Sequence, residues 1–179
     1  MAFDRTRTLR GALAGAAGAA VWAAQQPLDK RVFASAYDDV ELLGKAVTRG
    51  DEWPAAGLAL HLANGALFGA GYAQLKPFLP GPPIARALAA ALAENFATWP
   101  LGRAVDRYHP ARADLTPLHG NLRALAQATW RHALFGAVLG VLEDRLNATV
   151  ADEPPEVPAS SNGHGDIELA VGSGAPGGR

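Results

Sequence analysis

The 179-residue sequence contains no cysteine and few charged residues. The absence of cysteine excludes disulfides, thiolate metal sites and cysteine nucleophiles. Asp, Glu, Lys and Arg together make up 18% of the chain, against roughly 25% in typical soluble domains. The formal net charge of −1 leaves no basic excess, whereas nucleic-acid-binding chains normally carry a basic patch or stripe. We therefore expect no nucleic-acid partner.

The chain also lacks the alternating runs of β-branched residues that predict strands. It has instead four long stretches that are almost free of charge and rich in alanine and glycine. A helix that crosses the apolar core of a bilayer needs roughly 20 apolar residues. The pattern predicts an all-α fold, a four-helix transmembrane bundle. Its helices are expected near residues 9–26, 54–76, 83–102 and 122–146.

Proline residues mark the expected helix ends. Pro54 fits the first turn of the second helix, where no intrahelical N–H is needed. Pro27 is expected to end the first helix, and Pro100 to end or kink the third helix near Thr98. The segment "KPFLPGPP", residues 76–83, predicts the tight turn between helices two and three.

Two further segments differ from the apolar stretches. Residues 37–53, "YDDVELLGKAVTRGDEW", predict a short amphipathic helix, either interfacial or an ordinary surface helix. Residues 151–179 are rich in proline, glycine, serine and acidic residues, and such a segment buries too little apolar area to order itself. We therefore expect a membrane domain over residues 1–150 and a disordered tail over 151–179.

A soluble, alanine-rich helical bundle is the alternative fold. A soluble helix presents a charged outer face at helical spacing, but residues 54–75 contain no Lys, Arg, Asp or Glu. Glycines also recur four residues apart, a spacing that lets helices approach closely in lipid. These pairs are Gly11/Gly15, Gly65/Gly69 and Gly136/Gly140. Both features favour a membrane-embedded protein.

Strong hydrogen-bonding groups nevertheless lie within the apolar stretches. Charged groups at bilayer depth cost about 2.5–3.5 kcal/mol on insertion scales, so they normally face the bundle interior and pair. Glu94 and Arg131 have opposite charges at similar depth, and we expect them to pair. His132 is expected to contact His61 or Asn64. The full candidate intramembrane network is His61, Asn64, Glu94, Asn95, Gln127, Arg131 and His132.

Two interpretations of this network stay open. In the first, the network only stabilises helix packing. In the second, it has a function, as a proton path, an ion path or a ligand pocket. Haem held by His61 and His132 is a further alternative. The repeated Glu-x-x-His pattern of di-iron bundles is absent, and we expect neither a metal nor a cofactor.

The loop over residues 102–121 carries four further candidates, Asp106, Arg107, Tyr108 and His109. These side chains have the chemistry to bind an anion or a lipid headgroup at the membrane interface. The simpler alternative is a solvated connection with local ion pairs, because charge runs usually face water.

The segments "GALAGAAGAAVWAAQQPLDKRVF", "HLANGALFGAGYAQLKP" and "ATWRHALFGAVLGVLEDRLN" resemble small, uncharacterised bacterial inner-membrane proteins of the YagU-like type. The resemblance covers roughly residues 9–147 in layout. It implies a multi-pass protein of the bacterial inner membrane and carries no activity.

The leading functional expectation is a non-enzymatic packing partner or accessory subunit, in contact with lipid and within a homo-oligomer or larger membrane complex. A small oligomeric transporter or channel is the alternative, and a membrane enzyme of lipid or cofactor chemistry comes third.

Overall fold

The computed structural model describes residues 4–149, and all regular structure in that range is helical. The α-helices there are α1 (Arg5–Val32), α2 (Asp39–Val47), α3 (Trp53–Leu75), α4 (Pro83–Thr98), α5 (Gly102–Tyr108) and α6 (Leu122–Leu146). Short 3₁₀ turns follow α3 and α4. The all-α prediction is confirmed, and α2 is the expected short helix after the first long one. The predicted tail, 151–179, lies outside the described residues.

The four long helices pack in the spatial order α3, α1, α6, α4. Helix α1 lies along both α3 and α6, while α4 lies along the other side of α6. Helix α2 packs on α3. The four helices do not lie in a flat row, because residues of both α3 and α4, the two outer helices, line one cavity.

Glycines allow the close packing of neighbouring helices. A Cβ added to Gly65 of α3 would lie 2.7 Å from the carbonyl oxygen of Gly15 on α1. A Cβ added to Gly136 of α6 would lie 2.9 Å from the Cα of Leu88 on α4. The expected close approach at glycines spaced four apart is therefore confirmed.

The two prolines expected to end helices behave differently. Helix α4 ends at Thr98, shortly before Pro100, as predicted. Helix α1 does not end at Pro27 but continues to Val32, and that prediction was wrong. Proline removes one intrahelical hydrogen bond, but the turn that follows is held by tertiary contacts of Asp29 with Arg131.

Within residues 4–149, no helix combines the length and the apolar character of a membrane span. The all-helical part of the predicted fold is thus present, whereas its transmembrane part is not supported by the hydropathy of the helices.

The interior combines small apolar side chains with large polar ones. Most of the buried apolar residues are alanines, joined by a few larger side chains such as Trp22, Phe135 and Leu139. The largest fully buried side chains are Arg131, Lys76, Leu139, Gln127, Glu143, Asn95, Asn147 and Asp29. Many other large apolar side chains are exposed. We call Leu9, Leu13, Leu67, Phe96, Leu101 and Leu122 the apolar outer surface.

Candidate functional site

Arg131 of α6 lies at the centre of a buried ionic cluster. Its Nε and Nη2 atoms lie 2.6 and 2.7 Å from the two carboxylate oxygens of Asp29, a bidentate pair. Its Nη1 atom lies 2.6 Å from Oδ2 of Asp39. Nη2 also donates to the carbonyl oxygen of Tyr37 at 3.1 Å. One guanidinium therefore joins α1, α2 and α6.

The remaining lone pairs of both carboxylates are also satisfied. Gln127 donates to Oδ1 of Asp29 at 2.7 Å, from the same face of α6 as Arg131. Trp22 and Tyr37 donate to Asp39 at 3.0 and 2.5 Å. We call Asp29, Asp39, Gln127 and Arg131 the Arg131 cluster.

The predicted Glu94–Arg131 pair is wrong. Oε2 of Glu94 lies 2.8 Å from Nε2 of His132, the residue that follows Arg131. Successive residues of a helix point about 100° apart, and α6 lies between α1 and α4. Arg131 therefore faces α1, and His132 faces α4.

His132 also differs from its expected contacts, because its hydrogen bonds do not go to His61 or Asn64. Its Nδ1 atom lies 2.8 Å from the carbonyl oxygen of Ala128, so Nδ1 carries a hydrogen. Its Nε2 atom faces the Glu94 carboxylate. Both ring nitrogens of His132 therefore face oxygen atoms.

A cavity of about 230 Å³ lies between α1, α3, α4 and α6, beside the Arg131 cluster. Its aromatic lining consists of Trp22, Tyr37, Phe68 and Phe135. Its polar lining consists of Asp39, His61, Asn64, Glu94, Thr98 and His132. Four residues of the predicted network thus share one cavity.

The other three predicted residues lie elsewhere. Gln127 and Arg131 belong to the Arg131 cluster. Asn95 is buried at the α4–α6 contact, where it donates to Oγ1 of Thr129 at 3.1 Å. The structure therefore divides the predicted network into a cavity, an ionic cluster and a separate helix contact.

Three residues of the site were missed by sequence reasoning. Asp29 lies beyond Pro27, where the first helix was expected to have ended, and Asp39 lies in the predicted surface helix. A signal for Asp29 exists in the sequence: it follows Gln25 by four residues, and Gln25 donates to it at 2.5 Å. No local pattern indicates Tyr37.

Tyr37, in the loop before α2, adds a hydroxyl group to the site. Burial and the neighbouring Asp39 carboxylate raise the pKa of Tyr37 well above its usual value of 10.0. The hydroxyl therefore remains protonated at neutral pH and keeps donating to Asp39.

A second buried ion pair lies at the opposite end of the bundle. Nζ of Lys76 lies 3.0 Å from Oε2 of Glu143, and both side chains are at most 2% exposed. Oε1 of the same carboxylate accepts from Asn147 at 2.9 Å. This pair joins the end of α3 to α6.

Two of the four loop candidates, Asp106 and His109, make hydrogen bonds with backbone groups. The Asp106 carboxylate accepts from the backbone N–H groups of Leu118 and His119 at 2.8–3.1 Å. The His109 ring is buried, with Nε2 lying 3.0 Å from the carbonyl oxygen of Leu42. Arg107 and Tyr108 are exposed and stack on each other.

The structure defines a class of molecule: a helical bundle with a buried ionic cluster and, beside it, a partly open cavity with aromatic walls. Among residues 4–149, no group of three or more His, Asp or Glu side chains is arranged to hold a metal ion. No protein-family model, curated protein or solved structure matches the chain. Function is therefore inferred from the geometry of the site.

Proposed function

We propose that the protein is a small integral membrane protein of the bacterial inner membrane that acts as a non-enzymatic accessory subunit. Its apolar outer surface contacts lipid and neighbouring helices. One observation carries the proposal, the inverted distribution of polar and apolar side chains.

In soluble proteins large apolar residues fill the core, and a fully buried charged residue is an exception that needs a partner. Here Arg131 and Glu143 are fully buried, whereas Leu67 and Leu122 are 72% and 76% exposed. Lipid would contact only the outward faces of the helices, so the buried polar groups would not meet it. Exposed leucines on outward helix faces, above a buried polar cluster, suit a hydrocarbon solvent.

The helix contacts support the same proposal. Lipid tails are as apolar as leucine, so helices in a bilayer associate through close packing of small residues and through interhelical hydrogen bonds. Both occur here, in the Gly15–Gly65 contact and in the Arg131 cluster.

Fractionation of expressing cells tests the membrane location. We expect the chain to sediment with membranes, to remain there after washing with high salt and alkaline carbonate, and to require detergent for release. Recovery as a monodisperse species in detergent-free buffer would contradict the proposal.

Cross-linking in intact cells tests the accessory role separately. We expect discrete adducts with a second membrane chain or a second copy, formed from residues of the apolar outer surface such as Leu67 or Phe96. A chain that fractionates with membranes but gives only monomer after cross-linking would leave the location standing and overturn the role.

The cavity favours a second candidate, a small oligomeric transporter or channel. The Glu94 side chain is 40% exposed and pairs with His132 inside the cavity, so an ionisable pair lies between the interior and the exterior. Four helices enclose little pathway alone, so transport would need an oligomer. Flux in liposomes that disappears with Glu94→Gln would support it, and absence of flux for the wild-type chain would argue against it.

A further inference from the structure

We propose that the cavity is a binding site for a small organic cation, a primary ammonium attached to an aromatic or apolar group. The inference stands on the cavity itself and does not depend on the accessory role. It rests on charge, on free hydrogen-bond acceptors and on aromatic walls.

The charge balance around the cavity is negative. Glu94 and Asp39 line it, and Asp29 lies behind Asp39 in the Arg131 cluster. Against these three carboxylates stand one guanidinium, already bound by Asp29 and Asp39, and the His132 ring, which is paired with Glu94. A cation would be attracted, and an anion would be repelled by the carboxylates.

Acceptors without partners surround the cavity. The His61 ring is 7% exposed, and its Nε2 atom carries the hydrogen that it donates to the carbonyl oxygen of Ala19 at 3.1 Å. In the neutral ring Nδ1 is therefore an acceptor, and within residues 4–149 it has no hydrogen bond. Oε1 of Glu94 and the amide of Asn64 likewise make none in that part of the chain. Three acceptors match the three N–H donors of an alkylammonium.

Aromatic rings supply the apolar part of the site. Phe135 makes edge contacts with Phe68 and Trp22, at centroid distances of 5.3 and 6.3 Å. An ammonium within about 6 Å of such rings is attracted to their faces. The cavity of about 230 Å³ exceeds the roughly 10–15 Å³ that one water needs, so it has room for a small molecule.

Three probes of nearly equal shape test the charge preference on the full chain in detergent micelles or nanodiscs. They are benzylammonium, benzyl alcohol and benzoate, with affinities measured by calorimetry. We expect benzylammonium to bind at least tenfold more tightly than benzyl alcohol, and benzoate to show no binding. Equal or tighter binding of the neutral or anionic probe would overturn the proposal.

Substitutions then locate the site. Glu94→Gln keeps the shape and removes the charge, and we expect it to weaken benzylammonium binding at least tenfold. Glu52→Gln, at an exposed position before α3, is the matched control and should leave affinity unchanged. Equal losses in both variants, or none in Glu94→Gln, would place the cation elsewhere and overturn the assignment.

A substitution of Asn64, which also lines the cavity, tests the site if Glu94→Gln does not fold. Asn64 is exposed and makes no hydrogen bond within residues 4–149, so Asn64→Ala should leave the fold intact. We expect it to weaken benzylammonium binding several-fold while circular dichroism stays unchanged, and unchanged affinity would contradict the site. The amount of each variant recovered in the membrane fraction of expressing cells reports separately on the proposed membrane location.

Discussion

Arg131 is tolerated in the interior because two carboxylates and a backbone carbonyl accept its hydrogen bonds. An isolated buried charge costs several kcal/mol, and a paired, hydrogen-bonded charge comes close to breaking even. The bidentate contact with Asp29 requires a planar guanidinium. Removing only one member of the Arg131–Asp29 pair should therefore lower stability more than removing both.

Arg131→Met should lower the free energy of unfolding by about 3–5 kcal/mol, because it leaves the buried carboxylates of Asp29 and Asp39 without their cation. The double variant Arg131→Met, Asp29→Leu should be less destabilised than the single one. Denaturant unfolding in detergent micelles measures both.

A double-mutant cycle provides the control for this prediction. The coupling energy between Arg131 and Asp29 should fall in the range of about 0.5–3 kcal/mol seen for contacting residues and exceed that between Arg131 and Glu94. A larger Arg131–Glu94 coupling would contradict the partner assignment.

Asp38, between α1 and α2, makes stability depend on pH in the acid range. Burial raises the pKa of its carboxyl, but Lys30, 2.5 Å away, the backbone N–H of Glu41 and the charge of Arg131 together outweigh burial and bring the pKa below 3.8. A lowered folded-state pKa gives stability that is fully present above the unfolded value and lost as pH falls through the folded one.

Asp38→Asn should therefore remove part of the stability loss below pH 3.8. Lys30→Met lets the folded-state pKa of Asp38 rise, so it should also reduce that acid loss while lowering stability at neutral pH. Thermal unfolding between pH 2.5 and pH 6, values chosen to bracket the ordinary carboxyl range of about 3.9, measures both effects. An acid transition identical in the wild type and in Asp38→Asn would show that Asp38 does not contribute.

At the scale of helices, glycine contacts determine how closely α1 and α3 approach. A methyl group added to Gly65 would lie 2.5 Å from the Cβ of Ala19 and 2.7 Å from the carbonyl oxygen of Gly15, both on α1. Gly71 lies on the same helix, but a Cβ added there meets no atom within 4 Å. The two glycines form a matched pair in one element.

Gly65→Ala should lower the unfolding free energy by about 1–3 kcal/mol through overpacking. Gly71→Ala should be neutral or raise it by about 0.4–1 kcal/mol, because alanine restricts the unfolded chain. Thermal unfolding of both variants measures the difference. Equal effects at the two positions would be inconsistent with the close α1–α3 contact.

For the whole molecule, the exposed leucines allow a test of whether lipid or water surrounds the bundle. Leu67 lies near the middle of α3, and Leu122 is the first residue of α6. Both are exposed. In water, lysine at either position would change stability by about 0.5 kcal/mol at most.

In a bilayer, Leu67→Lys should cost about 2.5–3.5 kcal/mol on insertion scales and reduce the amount of chain recovered from membranes. Leu122→Lys should have little effect, because a lysine near a helix end reaches the headgroups. Quantified membrane fractions compare the two variants. Equal recovery of Leu67→Lys, Leu122→Lys and wild type would argue against lipid contact at Leu67.

The sequence by itself determined the helical class, the approximate bounds of three of the four long helices and the break near Pro100. These properties follow from local causes: residue propensity, proline geometry and charge spacing along one segment. It also indicated polar residues that line the cavity, His61, Glu94 and His132, because a polar group in an apolar stretch stands out without knowledge of its partner.

Only the tertiary structure decided which side chains pair. Arg131 and His132 are adjacent in sequence, yet they face different helices, because the partner of each depends on its direction around α6 and on which helix lies there. The continuation of α1 past Pro27 has the same origin, since contacts of Asp29 with a residue 102 positions away hold that turn. Partner choice across helices is not local, and no pattern within one segment specifies it.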